Sequence, residues 1–387
     1  MAETAQRLLY FLEESYGGTA DYAHEQCNAL AALGMTVTLL TTPKYPCHPE
    51  AGYARQPELL EPKPERPIAN RWRRGGRYAW IKLENYRRLA RIIDETGVRQ
   101  VLIGSFGEYL APLWAGRLRR LAREGVVFGA VIHDPVRDYV VGPRWWHRWS
   151  IGAAYGPLRE AFVHEAIALD TARPNPALRV TVIPHGPYTY PPPTRTRLDT
   201  RQQLALPPDA PVLLAFGHIR DAKNLDLVIE SLVHCPTPYL IVAGRVQSAG
   251  QRPVDFYRAL AEQRGVAHRC RWIERYVPND EAADLFAAVD AVLLTYSGAF
   301  RSASGVLALA AHYRVPCLAS SGPGPLKTLV QRYQLGVWVE PDDVAALVGG
   351  LQDLLTSPPQ PSWARFQADN SWRVNAQRVA ERMFDRR

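Results

Sequence analysis

The chain changes character once, at Pro184–Arg197. Five prolines fall within the ten residues from Pro184 to Pro193, and such a run can be neither helix nor central strand. It reads as a linker over 185–198. On each side of it, short apolar runs alternate with amphipathic stretches. Before it, strands are expected at Arg7–Leu12, Met35–Thr41, Arg99–Ile103, Val126–Ile132, Ala161–His164 and Arg179–Ile183, with helices at Thr19–Leu33, Arg77–Thr96 and Glu108–Arg123. After it, strands are expected at Pro211–Phe216, Tyr239–Ala243, Arg271–Ile273, Ala291–Leu294, Val315–Ala319 and Gly336–Val339. Helices are expected at Lys223–Val233, Val254–Gln263, Asp280–Val289, Ser304–His312, Leu326–Tyr333 and Asp342–Leu355, with Asn279 and Asp280 as cap residues, and a last helix at Ser362–Arg382. This alternation implies parallel sheets with helices on both faces. The expected fold is α/β: two doubly wound Rossmann-like domains facing a cleft, 1–184 and 199–360, with 361–387 as a C-terminal helix able to return to the first domain. Such sheets bind ligands beyond the carboxyl ends of their strands.

A length of 387 residues suits two domains, and 47% hydrophobic with 22% charged residues is globular composition. The net charge of +8 is spread over both halves without a basic tail, which argues against a dedicated nucleic-acid binder. No apolar run approaches the roughly 20 residues of a membrane span. The N-terminal stretch carries Glu13 and Glu14 and does not read as a signal peptide, and five scattered cysteines fit a reduced, cytoplasmic protein. Only five of the 46 basic residues are lysines, so each lysine draws notice. Pro43–Pro67 carries seven prolines; a loop of that length is either functional or a surface excursion.

Several segments sit where chemistry is expected. Gly17-Gly18 follows the first strand and precedes a helix, where backbone N–H groups favour an anion; a tight turn is the plain alternative. His133-Asp134-Pro135 ends a buried-looking strand, and histidine exchanges hydrogen bonds near neutral pH. In Leu213–Asn224, Gly217 breaks a strand, and Arg220 and Lys223 follow before a helix. Two cations at such a junction suit a diphosphate. Ser302, Ser304, Gly305 and Val306 open a helix after another strand, either as an anion cradle or as an ordinary cap. There is no nucleotide-binding phosphate loop and no nucleophile elbow. No zinc spacing appears; His24 with Cys27 and Cys47 with His48 come nearest. No aspartate pair at i, i+2 offers a sugar-nucleotide metal seat, so metal-independent chemistry is implied. Arginine and tryptophan mix at Arg71–Trp80 and Pro143–Ser150. This suits a membrane surface or an anionic or carbohydrate ligand, or else tryptophans packed on a core with arginines outside.

In this order, the segments resemble the retaining GT-B glycosyltransferases of family 4 over nearly the whole chain. Gly17-Gly18 is similar to the family's glycine loop, and His133-Asp134-Pro135 to its H-D-x-P turn. Ile183-Pro184-His185-Gly186 resembles the I-P-H-G before the linker, and Phe216–Asn224 the F-G-x-I-R-x-x-K-G donor-phosphate motif. Ser304-Gly305-Val306-Leu307 with Val315-Pro316 is close to an S-G-V…P-V block, and Arg275-Tyr276-Val277-Pro278 to the G-Y-V-P segment near the base. The resemblance implies that Arg220 and Lys223 bind the donor diphosphate with Gly18 and Gly305 nearby, that His133 touches the transferred sugar, and that Tyr276 and Val277 lie by the base. It places Asp134 and His185 on the acceptor side. Arg301 and Leu309 stand where many members carry two glutamates, His218 where many have arginine, and Asn224 where they have glycine. The implied partners are a nucleotide-sugar donor and a saccharide, lipid-linked or small-molecule acceptor, with no metal and with peripheral contact at the inner membrane face. The alternatives are a non-catalytic sugar or nucleotide-sugar binder on the same fold and, ranked last for want of a carboxylate acid/base pair, a sugar-nucleotide epimerase.

Overall fold

A computed structural model describes residues 6–64, 69–133, 140, 142–173, 175–187, 190–246, 248, 250–302 and 304–385. The chain forms two compact units: 1–186 with 370–387, and 187–369.

In the first unit, β1 (Arg7–Phe11), β2 (Thr36–Leu40), β3 (Ala54–Gln56), β4 (Gln100–Ile103), β5 (Val127–Val131), β6 (Glu160–Val163) and β7 (Arg179–Val182) form one sheet in the order β3-β2-β1-β4-β5-β6-β7. Every pairing is parallel. Parallel neighbours need crossovers, and the helical ones here are α1 (Gly18–Ala32), α2 (Arg71–Thr96), α3 (Ala111–Arg123) and α4 (Arg144–Tyr155). The central strands are apolar on both faces because helices cover both. Asn70 caps α2 through the Trp72 and Arg73 amides, and Gly97 ends it in the left-handed conformation at φ 63°.

In the second unit, β8 (Val212–Phe216), β9 (Tyr239–Ala243), β10 (Cys270–Ile273), β11 (Ala291–Thr295), β12 (Cys317–Ser320) and β13 (Gly336–Trp338) form a parallel sheet in the order β10-β9-β8-β11-β12-β13. Its helices are α5 (Arg197–Gln203), α6 (Leu225–His234), α7 (Val254–Gln263), α8 (Asn279–Ala288), α9 (Gly305–His312), α10 (Pro325–Tyr333), α11 (Val344–Thr356) and α12 (Trp363–Asp369). Strand order reverses between β1 and β4 in one sheet and between β8 and β11 in the other. Ligands bind at the carboxyl ends of strands at such points.

Three expectations change, and one helix is additional. The proline-rich segment is not structureless: Ala54–Gln56 adds β3 to the edge of the first sheet. The arginine–tryptophan run at Pro143–Ser150, which carries no expected element, starts α4. Pro278, not Asn279 or Asp280, occupies the cap position of α8, and no side chain caps it. The expected last helix is two. Ser371 accepts a hydrogen bond from the Val374 amide and starts a separate helix, α13 (Trp372–Phe384). α12 stays with the second unit, where the Tyr333 hydroxyl donates to Asp369 at 2.7 Å. α13 packs on α1 in the first: buried Asn375 donates to the Tyr22 hydroxyl and to the Pro184 carbonyl, each at 2.7 Å, and accepts from Gln26. A Cβ on Gly186 would lie 2.4 Å from the Trp372 ring, so only glycine permits that approach.

Candidate functional site

In the second unit the residues after β8, β9 and β11 converge. Gly217 breaks β8 at φ 85°. A single turn of 3-10 helix, Asp221–Lys223, leads to Asn224, which holds φ 51°. Asparagine is among the few non-glycine residues that accept this region, so it can stand where the family has glycine. Asn224 also donates to Asp342 at 2.8 Å, and Asp342 accepts from the Gly298 amide at 2.8 Å, pinning the loops after β8 and β11 together.

Lys223 Nζ donates to the Phe216 carbonyl at 2.6 Å. Burial, then Arg220, bring its pKa down to about 7. The Arg220 guanidinium lies 5.9 Å from the centroids of both Tyr296 and Phe300, which stack at 4.0 Å. Its Nε is buried and unpartnered among the described residues. Burial, with Arg245, Lys223 and Arg220 around it, lowers the pKa of His218. Among the described residues, no carboxylate pairs with Arg220, Lys223 or Arg245. A set of cations with no internal counter-charge suits a polyanion.

Ser304 faces this cluster. It caps α9 through the Leu307 amide, and its hydroxyl lies 3.0 Å from that of Tyr296. A Cβ on Gly217 would lie 3.5 Å from Lys223 Nζ and 3.8 Å from Val306. Gly217, Arg220, Lys223, Ser304, Gly305 and Val306 therefore gather at one switch point. Ser302 is half-buried just before them. Tyr276 and Val277 follow the edge strand β10, two strands from β8. Tyr276 is exposed, whereas Val277 is buried in the core, so only its backbone can face a ligand. The cavity that Gly217, Arg220 and Lys223 line together with Leu225, Val242 and Leu293 is about 20 Å³, room for a water at most.

In the first unit, Gly17 sits at φ 91° and its carbonyl accepts from the Ala20 and Asp21 amides, opening α1 at Gly18. Nothing lies within 4 Å of a Cβ on either glycine, so their approach side is open. Buried Tyr22 of α1 is the hub of an aromatic cluster. Its ring is 4.8 Å from His133, 5.4 Å from His164, 5.1 Å from His185 and 4.8 Å from Trp372. His164 Nε2 and His133 Nδ1 are 3.4 Å apart, and His133 Nε2 is buried without a partner among the described residues. Burial, then His185, lowers the His133 pKa to about 4, and burial lowers those of His164 and His185. His133 is thus a neutral imidazole at pH 7, suited to exchanging a hydrogen bond with a hydroxyl. Asp134 lies outside the described residues.

Beside these, Glu13 follows β1 and is buried with Lys82 and Asn85 of α2. Lys82 pairs with one carboxylate oxygen of Glu13, and Asn85 donates to the other at 3.0 Å. Burial alone would lower the Lys82 pKa, but the Glu13 carboxylate overrides it and raises it. Nearby, Lys63, Arg74, Tyr78 and Tyr109 line an open pocket of about 510 Å³. Arg77 fastens the proline-rich loop there by donating to the Pro62 and Glu61 carbonyls. Trp72, Trp80, Trp145 and Trp149 are exposed rather than packed on a core. Among the described residues, no helix is long and apolar enough to cross a membrane.

Sequence reasoning missed Arg245, Tyr296, Phe300, His164, Tyr22 and the Glu13–Lys82 pair. Arg245, His164 and Glu13 carry a common signal, a polar residue just past an apolar strand.

The family model described as "Glycosyl transferases group 1" matches residues 196–377, and that described as "Glycosyltransferase Family 4" matches 16–189. A D-inositol 3-phosphate glycosyltransferase of Thermobispora bispora is 29% identical over 194 residues, 47% of this chain and 44% of that relative. The match therefore spans less than half of that curated relative's length. Among solved structures, a sucrose-phosphate synthase of Thermosynechococcus elongatus superposes with a TM-score of 0.68 at 18% identity, over 97% of this chain and 98% of that one. HepE of Anabaena, solved with UDP, superposes at 0.67 with 13% identity, over 97% and 98%. At these identities the structural likeness establishes the two-sheet fold that the three proteins share.

Proposed function

Because the chain belongs to the group 1, family 4-like glycosyltransferases of GT-B fold, we propose that it transfers a sugar from a nucleotide-diphosphate-sugar to an acceptor with retention of configuration and without a metal. The observation that carries this reading is the cluster of Arg220, Lys223, His218 and Arg245 at the β8/β11 switch point, which no carboxylate of the described residues compensates. A diphosphate supplies the anion that the cluster lacks, and the Ser304–Gly305 start of α9 adds N–H donors. UDP is the first nucleotide to test, since HepE was solved with UDP and with UDP-glucose.

In this reading the bond from the sugar to the donor phosphate breaks while the acceptor oxygen bonds on the same face. The departing phosphate takes the acceptor's proton. The protein supplies positioning and charge neutralisation rather than a nucleophile. The neutral imidazole of His133 hydrogen-bonds a sugar hydroxyl. The pocket beside Tyr78 and Tyr109 recognises the acceptor, with Lys63 and Arg74 suiting an anionic or saccharide group. The exposed tryptophans of α2 and α4, set among arginines, suit contact with an anionic membrane surface.

The test is thermal unfolding with UDP, other nucleoside diphosphates and UDP-sugars in the presence of EDTA. A ligand at 100 times its Kd stabilises by about 2.7 kcal/mol. A strict need for magnesium or manganese would sink the metal-free reading. One observation favours a second reading, a non-catalytic nucleotide-sugar binder. Leu309, at a family glutamate position, is buried in the core, and Arg301, at the other, is exposed. Stabilisation by UDP-sugars with neither hydrolysis nor transfer would establish that reading instead.

A further inference from the structure

The proline-rich loop after β2 brings two histidines and a carboxylate together on α1. His24 lies in α1; His48 and Glu50 lie in the loop. A nitrogen of each imidazole and a carboxylate oxygen of Glu50 all lie within 4.8 Å of one another. The imidazole centroids are 4.0 Å apart. Spacing in the sequence hides this set, because its members come from separate elements.

The loop is fixed against the helix. Tyr45 and Tyr53 are buried, with hydroxyls 3.3 Å apart, and the Tyr45 hydroxyl donates to the Ala20 carbonyl at 3.4 Å. The Gly52 amide donates to Asn28 Oδ1 at 2.9 Å, and a Cβ on Gly52 would lie 3.2 Å from that of Ala31. These bonds also settle the tautomer of His24. Asn28 uses its oxygen on Gly52, so its Nδ2 faces His24 Nε2 at 3.2 Å and that nitrogen must accept. The proton then sits on Nδ1, 2.9 Å from the Tyr53 hydroxyl. A lone pair on one ring nitrogen, with the other N–H held by an oxygen, is how metal-binding imidazoles are oriented.

We propose that His24, His48 and Glu50 form a site for a divalent transition metal of the zinc class, which clips the proline-rich loop onto α1. Two imidazoles and one carboxylate suit Zn²⁺, Ni²⁺ or Cu²⁺, whereas Mg²⁺ and Ca²⁺ prefer all-oxygen shells. On binding, the metal replaces the Asn28 amide at His24 Nε2. The three side chains leave a further coordination position to water. The site shares no residue with the proposed diphosphate cluster, which belongs to the other unit.

The test uses the untagged 387-residue chain, stripped with EDTA and dialysed against ZnCl₂. It is done in a Cys47→Ala background, because Cys47 is an exposed free thiol next to His48. One bound Zn²⁺ per chain, a raised unfolding midpoint and slower proteolysis between residues 43 and 53 are expected, with no effect of Mg²⁺. His48→Ala should abolish the stoichiometric site. Glu50→Gln, at an exposed position, should weaken it at least tenfold while leaving the metal-free midpoint unchanged. Substoichiometric zinc, or one equivalent retained by both variants, overturns the proposal.

Discussion

Two scarce lysines meet opposite fates in the two units. Lys82 is buried against the Glu13 carboxylate, which raises its pKa. Lys223 has no carboxylate partner among the described residues, bonds a backbone carbonyl and lies beside Arg220, and its pKa falls to about 7. Lys82 is neutralised by its own chain, so its charge is part of the fold. Lys223 meets no carboxylate among the described residues, so under the proposed function its counter-charge arrives with the ligand. The same residue type beside equivalent switch points of two similar sheets is thus a structural charge in one unit and, under the proposed function, a binding one in the other.

The sharpest way to break this comparison is Lys82→Ala. Removing one partner of a buried pair leaves the other charge uncompensated and costs about 3–5 kcal/mol. Urea unfolding should show that loss, whereas Lys223→Ala, which removes a charge burial disfavours, should lose none. If Lys223→Ala destabilises as strongly as Lys82→Ala, Lys223 is structural too and the contrast fails.

The next effect is on binding. Charge-assisted hydrogen bonds contribute about 1.5–3 kcal/mol, so Lys223→Ala should weaken UDP binding roughly 10- to 150-fold by isothermal titration. Arg220→Lys should be impaired as well, since an ammonium cannot replace the planar fork. Lys82→Met, in whatever fraction folds, should bind UDP as wild type does. Wild-type affinity in both Lys223→Ala and Arg220→Lys would remove the proposed function's main support.

The sequence shows why one lysine was legible and the other was not. Lys223 stands a few residues past Gly217, between an apolar strand and a helix, so its position is readable locally. Lys82 lies mid-helix, and nothing near it announces Glu13, 69 residues away in the chain. The strands were legible for a related reason: with helices on both faces they are continuous apolar runs. β3 was not, because Ala54-Arg55-Gln56 is a polar edge strand held mainly by its pairing with β2. The break before α13 hinges on Ser371, a cap residue set within an otherwise helical pattern. Arg245, Tyr296 and Phe300 join Arg220 only because β9 and β11 flank β8, and strand order is not written in any one segment.

The smallest effect is the most specific to Lys223. With a pKa of about 7, the free protein holds Lys223 only partly protonated at neutral pH. A bound diphosphate favours the ammonium and raises that pKa, so binding takes up a proton. The sign follows: affinity is fullest below pH 7 and falls as pH rises from there toward the pKa of the complex, by at most tenfold, about 1.36 kcal/mol, per pH unit. UDP has its own phosphate ionisation near pH 6, so titrations at pH 7.5–9 isolate the lysine. In that range, titration in two buffers of different ionisation enthalpy should show uptake of up to one proton per UDP, and Lys223→Ala should abolish it. Lys82, already held as an ammonium by Glu13, contributes no such uptake. Equal proton uptake by wild type and Lys223→Ala would mean that the proton goes elsewhere, with His218 the nearest candidate.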